Sequence, residues 1–159
     1  MNARVAERSP RFELVGALGP VGQAMSRDIV VLAPDTHVGE ALALMECKHA
    51  TGGLVVEAGR IIGIVGIPDL LEVRSLVWRT GGTLWGPGRG HTGWRVADVM
   101  ASCASVVSPT DPLALALVKL DDGQLDVLPV VDRGGKPIGL LSRRDVIHAL
   151  AERVRGPAV

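Results

Sequence analysis

Two stretches of the chain show the same pattern of hydrophobic and polar positions, in which strand-like and helix-like spacings follow one another in the same order. In each, apolar side chains spaced at i, i+3, i+4 and i+7 predict an amphipathic helix. They are Val38, Ala41, Leu42 and Met45 in the first stretch, and Leu113, Ala116, Leu117 and Leu120 in the second. A short extended run precedes each helix, and two strand-like runs joined by a glycine-containing turn follow it. A closing helix starting near Asp69 or Asp145 completes a β-α-β-β-α pattern in both.

The two stretches are copies of one repeat. A shift of 75 positions superposes Met25 on Met100, and one extra residue in the second turn raises the shift to 76, which superposes Asp69 on Asp145. A unit of about 55 residues is small for an independent core. We therefore expect an α+β fold in which the two repeats pack together around a pseudo-twofold axis, with their sheets meeting between them.

This register divides the chain into five segments. They are an N-terminal extension (1–20), the first repeat (21–77), a linker rich in glycine and tryptophan (78–95), the second repeat (96–155) and a tail (156–159). Thr36 is predicted to cap the first helix, and Asp111 the corresponding helix, with Pro112 as its first residue. The buried face predicted for the last helix is Val146, Ile147, Leu150, Ala151 and Val154.

Composition and charge narrow the functional classes. The 159 residues carry 17 basic and 17 acidic side chains, so no nucleic-acid or anionic-membrane partner is expected. The first residues lack the apolar stretch of a signal peptide, and no apolar run approaches the roughly 20 residues that span a bilayer. The sequence thus predicts a cytoplasmic protein. Its two cysteines form neither a metal motif nor a disulfide framework.

Catalytic chemistry finds no support in the residue pattern. The four histidines are scattered, and none stands at a metal-ligand spacing from a cysteine or a carboxylate. No nucleophile, base and acid occur as a set. We therefore expect a protein that is not an enzyme and requires no cofactor.

The second repeat resembles a CBS (cystathionine-β-synthase) domain. Residues 128–132 read LPVVD and residues 139–145 read GLLSRRD, which is similar to the family's GhhSxxD motif, where h is apolar. Residues 96–100, VADVM, resemble the start of the family's domain. The first repeat is a weaker copy, since residues 63–69 read GIVGIPD, with Gly66 in place of the hydroxyl residue.

The resemblance implies a tandem CBS pair, or Bateman module, with clefts that bind AMP, ADP, ATP or S-adenosylmethionine. The motif aspartate contacts ribose in such clefts, which implies this role for Asp145 in one cleft and Asp69 in the other. Ser142 is implied near ribose or phosphate, and Thr51 at a position that often lines the clefts. Arg143 and Arg144 follow Ser142 directly and are candidate phosphate contacts.

Two of these residues have a structural interpretation as well. Serine followed three residues later by an acid is a helix capping box, so Ser142 and Asp145 are candidates for a cap, a ligand contact, or both. The two roles are compatible because a helix N-terminus attracts phosphate. Asp126 aligns with Thr51. We expect Asp126 near the Asp145 cleft, where its charge favours AMP or S-adenosylmethionine over ATP.

The sequence therefore favours a regulatory module that senses an adenosine-containing ligand and acts in trans. Its partners would be that ligand, an unidentified effector protein and a second copy of the chain, with the closing helix around residues 149–151 as a candidate dimer surface. The alternative is a CBS pair with degenerate clefts that serves as a protein-interaction or dimerisation module without nucleotide. The tryptophan-bearing linker fits either role, as a tether or as a docking loop.

Overall fold

The structure, a computed structural model, describes residues 18–80, 93–103 and 105–156. The predicted extension up to residue 17, linker residues 81–92 and tail residues 157–159 lie outside the described residues. In the last helix of the first repeat, the backbone is described to its end, at Thr80. That helix includes the first residues of the segment predicted as linker.

Both repeats contain the two predicted helices and the two predicted strands between them, and each repeat begins with a short helix. The elements of the first repeat are α1 (Val21–Ala24), β1 (Val30–Leu32), α2 (Val38–Cys47), β2 (Gly52–Glu57), β3 (Arg60–Gly66) and α3 (Ile67–Thr80). Those of the second are α4 (Val96–Val99), β4 (Ala101–Ser102), α5 (Leu113–Asp122), β5 (Val127–Val131), β6 (Pro137–Ser142) and α6 (Arg143–Arg155). The α+β class is confirmed.

The strands form two sheets that meet between the repeats. In the first sheet, β1 runs parallel to β2, β2 pairs antiparallel with β3, and β4 pairs antiparallel with the far edge of β3. In the second, β5 and β6 are antiparallel. In the second repeat, the extended run expected before α5 forms an isolated parallel bridge from Val107 to Val130, the counterpart of the pairing between Leu32 and Val55. Strand β3 packs against β5, and β2 against β6.

Each repeat places its first segment on the other repeat. The Val21 amide of α1 donates to the Asp111 carbonyl at 2.9 Å, and its equivalent in α4, the Val96 amide, donates to the Thr36 carbonyl at 2.8 Å. Both valines are fully buried, Val21 in the core of the second repeat and Val96 in that of the first. This reciprocal exchange of segments obeys the predicted pseudo-twofold symmetry.

Two equivalent glycines make the exchange sterically feasible. A Cβ on Gly63 would lie 2.5 Å from the sulfur of Met100, and one on Gly139 would lie 2.9 Å from the sulfur of Met25. The methionine that follows each short helix therefore occupies the space that a side chain at position 63 or 139 would fill.

Three local predictions are wrong. Helix α5 begins at Leu113, so Pro112 is its N-cap residue instead of its first helical residue. The N-cap residue of α2 is His37 rather than Thr36. The N-cap residue of neither helix makes a side-chain capping hydrogen bond. On α6, Val146 is buried and Leu150 and Ala151 are half-buried, but Ile147 is 64% and Val154 is 79% exposed. The second repeat covers a narrower stripe of α6 than the apolar pattern indicates, because Ile147 lies about 100° around the helix from Val146.

Candidate functional site

A cavity of about 300 Å³ opens between the two repeats. It is lined by Thr51, Ile67, Pro68, Asp126, Val127, Ser142, Arg143 and Arg144. Three pairs of these residues are equivalent in the repeat register: Thr51 and Asp126, Ile67 and Arg143, and Pro68 and Arg144. Because both members of each pair line it, the cavity lies on the pseudo-twofold axis. We call it the central cavity.

The first turns of α3 and α6 converge on this cavity. The Ile67 amide donates to the Thr51 carbonyl at 3.3 Å, and the Arg143 amide donates to the Asp126 carbonyl at 3.1 Å. Each closing helix thus starts against the residue that precedes the second strand of its own repeat. The positive ends of two helix dipoles are brought close together, an arrangement that attracts negative charge.

Ser142 and Asp145 form the capping box that the sequence allows. The Ser142 hydroxyl accepts from the Asp145 amide at 3.1 Å and donates to Asp145 Oδ2 at 2.7 Å, while the Ser142 amide donates to the same oxygen at 2.7 Å. Ser142 is only 4% exposed. Its hydroxyl therefore fixes the carboxylate against the start of α6, at the wall of the central cavity.

Asp69, the equivalent of Asp145, keeps the backbone contact of the capping box but has no hydroxyl partner. Its Oδ2 accepts from the Gly66 amide at 2.7 Å, and glycine supplies no hydroxyl. Burial raises the pKa of Asp69; the Gly66 N–H opposes this shift, and the charges of Asp126 and Glu72 add to it. The carboxylate at the first closing helix is thus surrounded by fewer donors and more negative charge.

Asp126 lies between the starts of the two closing helices. A Cβ built on Gly66 would approach the Asp126 Cβ to 3.3 Å, and the Asp126 charge acts on Asp69. Asp126 Oδ1 also lies 3.8 Å from Arg143 Nε, at the start of α6. Its negative charge therefore acts on both sides of the central cavity, and its effect on a ligand beside Asp145 stays a prediction.

The two arginines of the motif differ in their contacts. Arg143 Nε donates to the Leu125 carbonyl at 3.0 Å, Nη2 to the Leu120 carbonyl at 2.9 Å, and Nη1 pairs with Asp121 at 2.7 Å. Its guanidinium therefore closes the C-terminal end of α5 and the loop that follows. Arg144 is exposed and has no ion-pair partner within the ranges the structure describes.

The predicted residues are thus partly brought together. Thr51, Ser142, Arg143 and Arg144 line the central cavity, whereas Asp69 and Asp145 stand one turn behind its wall with their carboxylates turned to the helix starts. Ile67 and Pro68 also line it and were missed, although their alignment with the arginine pair was available from the repeat register. Only the pseudo-symmetry axis shows why these residues converge.

The described part of the chain shows neither a metal-binding cluster nor a membrane-spanning helix. No group of three or more histidine, cysteine, aspartate or glutamate side chains is placed to hold a metal ion there. Among the same residues, every helix is too short or too polar to cross a bilayer.

Comparison with known proteins gives a family and several relatives. The model of the CBS domain matches twice, at residues 21–76 and 96–152. CBSX1, a chloroplastic CBS domain-containing protein of Arabidopsis thaliana, is 30% identical over 81% of the chain, which spans 63% of that relative's length. The crystal structure of CBSX2 in complex with AMP aligns with a TM-score of 0.60 at 30% identity, over 86% of this chain and 98% of that one.

A third comparison concerns the fold alone. The CBS domain pair of protein MJ0100, solved with 5′-methylthioadenosine and S-adenosyl-L-methionine, aligns with a TM-score of 0.64 at 14% identity. The alignment covers 83% of this chain and 95% of that one.

Proposed function

This chain belongs to the CBS domain family as a tandem pair of repeats, and from that premise we propose that it is a regulatory sensor of an adenosine-containing ligand. The observation that carries the proposal is the central cavity, where the N-termini of α3 and α6 meet beside one exposed arginine. A relative supports the ligand class, since CBSX2, which is 30% identical, was solved in complex with AMP.

We assign the tighter binding to the Asp145 side of the cavity. There Ser142 holds the carboxylate, Arg144 offers a cation, and Thr51 offers a hydroxyl. Asp145 supplies the ribose acceptor through the carboxylate oxygen that the capping box does not use. Arg143 acts mainly by positioning the start of α6, because its guanidinium is already bound to α5.

The Asp69 side should bind more weakly and disfavour phosphate. It has Gly66 instead of a hydroxyl residue, and Asp126 adds negative charge beside Asp69. With one exposed arginine in the whole cavity, a ligand with few phosphates is preferred, so we rank AMP and S-adenosylmethionine above ATP.

The output of such a sensor is proposed to act in trans. We propose that the chain performs no catalysis and passes the ligand signal, in the cytoplasm, to an effector protein or through its own dimer. The support is the match itself, since the model of the CBS domain covers both repeats, at residues 21–76 and 96–152.

Titration calorimetry with AMP, ADP, ATP and S-adenosylmethionine tests the ligand. Binding should also stabilise the folded protein by mass action. The free energy of unfolding should increase by about 2.7 kcal/mol when the free ligand concentration is a hundred times Kd, and the unfolding temperature should rise accordingly. Arg144→Gln should weaken AMP more than methylthioadenosine, which lacks phosphate, with Arg155→Gln as the matched control. Absence of binding for all four ligands, in protein freed of co-purified small molecules, would overturn the proposal.

The alternative, an interaction module without nucleotide, is favoured by one observation. Helices α5 and α6 expose the apolar side chains of Leu115, Val118, Ile147 and Val154. We propose that these side chains belong to an apolar surface that contacts another protein. A second copy of the chain fits through a two-fold isologous contact, and this dimer is also the form in which we expect the sensor to work.

A further inference from the structure

A second cavity, of about 440 Å³, lies beside the central cavity on the first repeat. Its lining includes Met45, Glu46, His49, Ala50, Ile67 and Arg144. We call it the α2–α3 groove, because those two helices form its walls. Neither the capping boxes nor the exchange of segments involves it.

The pseudo-symmetry shows what fills the equivalent place in the second repeat. There, the Arg143 guanidinium is held by the carbonyls of Leu120 and Leu125 and by the Asp121 carboxylate. Two backbone carbonyls and a carboxylate make a complete receptor for a planar cation with several N–H donors.

The same frame exists in the first repeat. The Ala50 amide donates to the Met45 carbonyl at 2.9 Å, as the Leu125 amide does to Leu120, and the His49 amide donates to Glu46 at 3.1 Å, as Gln124 does to Asp121. His49 and Gln124 adopt nearly the same left-handed backbone, with φ of 51° and 49°. The Met45 and Ala50 carbonyls are therefore oriented like those that hold Arg143.

The residues that differ are the ones that matter chemically. Glu46 keeps the carboxylate of Asp121, but Ile67 stands where Arg143 stands and has no donor to offer. The receptor is thus conserved between the repeats while its internal cation is missing from the first. We propose that the α2–α3 groove binds the guanidinium group of a ligand, in the position that Arg143 occupies in the second repeat.

Arg144 defines the other end of that ligand. It lines the groove as well as the central cavity, and it is exposed and unpaired among the described residues. A ligand with an anionic group at some distance from its guanidinium satisfies both Arg144 and Glu46. Arginine is the simplest probe of this class. The groove shares Arg144 with the central cavity, but its guanidinium position, at Glu46 and the Met45 and Ala50 carbonyls, lies outside the residues proposed to bind the adenosine ligand.

The decisive test is Ile67→Arg, which supplies the first repeat with its own copy of Arg143. Calorimetry should detect arginine binding to the wild-type protein at roughly millimolar concentration and none to Ile67→Arg. Glu46→Gln should weaken binding roughly tenfold, as expected when a charged hydrogen-bond acceptor is lost. Glu40→Gln, on the same helix but outside the groove, is the control and should bind normally.

The converse variant measures stoichiometry. Arg143→Ile, checked for folding by urea denaturation, should open the second groove and raise the number of arginine sites from one to two. Agmatine lacks the carboxylate and should bind to the wild-type protein more weakly than arginine. To Arg144→Gln, agmatine and arginine should bind with equal affinity. A capped arginine peptide that binds more tightly than arginine would identify a polypeptide as the source of the guanidinium. Wild-type protein that binds none of these probes, or arginine binding unchanged in both Ile67→Arg and Glu46→Gln, overturns the proposal.

Discussion

Replacing Ser142 with alanine should destabilise the protein without disturbing its core. The substitution removes the hydroxyl that accepts from the Asp145 amide at 3.1 Å and donates to its carboxylate at 2.7 Å. Loss of an N-cap side chain costs about 1 kcal/mol, and loss of a hydrogen bond to a charged group about 1.5–3 kcal/mol. Because both bonds belong to one capping box, the two losses overlap. We expect a decrease of about 2 kcal/mol in the free energy of unfolding.

Urea denaturation followed by circular dichroism measures this change. Urea is preferred to guanidinium chloride because guanidinium is the cation proposed to bind the α2–α3 groove. A loss of about 2 kcal/mol corresponds to a melting temperature lower by roughly 4–8 °C for a chain of this size. Ser102→Ala, at an exposed position in β4, is the matched control and should stay within about 0.5 kcal/mol of wild type.

Ser142→Gly gives a second point on the same scale. It converts the second motif into a copy of the first, where Gly66 precedes α3, and glycine is a better N-cap residue than alanine. The expected order of stability is wild type, then Ser142→Gly, then Ser142→Ala. If Ser142→Ala unfolds at the wild-type urea concentration, the capping box contributes nothing and the reasoning is refuted.

Three further predictions concern binding, pH and assembly. In AMP titrations, a folded Asp145→Ala should lose the tighter event and Asp69→Ala only the weaker, and the reverse result would invert our ranking of the two sides. Burial holds the pKa of Asp69 above its ordinary 3.8, so its contribution to stability is full below that value and is lost as pH rises through the higher folded pKa. Asp69→Asn, which keeps an acceptor for Gly66, should flatten the urea stability profile across that window, and an unchanged profile would contradict this. Light scattering should report a dimer that Ile147→Glu together with Val154→Glu converts to monomer, whereas a wild-type monomer at micromolar concentration, with and without ligand, would exclude the dimer.

Periodicity and internal repetition were sufficient to predict the fold class and the order of the longer helices and strands, but not the short helices α1 and α4. The register that superposes Met25 on Met100 also relates the hydrogen bonds of Val21 and Val96, so the sequence contained the symmetry. It did not contain the exchange of α1 and α4, because a short helix that packs on another repeat has no local pattern different from one that packs on its own. Ile147 and Val154 were misassigned for the same reason, since an apolar residue does not reveal which neighbour covers it.

For the candidate site, the sequence predicted the contact within the Ser142–Asp145 motif but not the contacts between residues that are distant in the sequence. Ser142 and Asp145 are three residues apart, so their contact follows from helical spacing. The contacts of Arg143 with carbonyls 18 and 23 positions earlier, and the approach of Asp126 to Gly66, depend on how loops meet at the axis. Such contacts between distant residues need the assembled fold, and they assign different roles to two adjacent arginines.

The reciprocal exchange of α1 and α4 has a consequence for how such a chain arises. Two separate copies of one repeat, each placing its first helix on the other, would form a closed two-fold pair with the same contacts. Joining the copies into one gene preserves every contact and removes the requirement that both halves be identical. After fusion, Ser142 and Arg143 can be kept in one half while glycine and isoleucine stand in the other. Such differences between the two halves are therefore open to the fused chain and closed to a pair of identical copies.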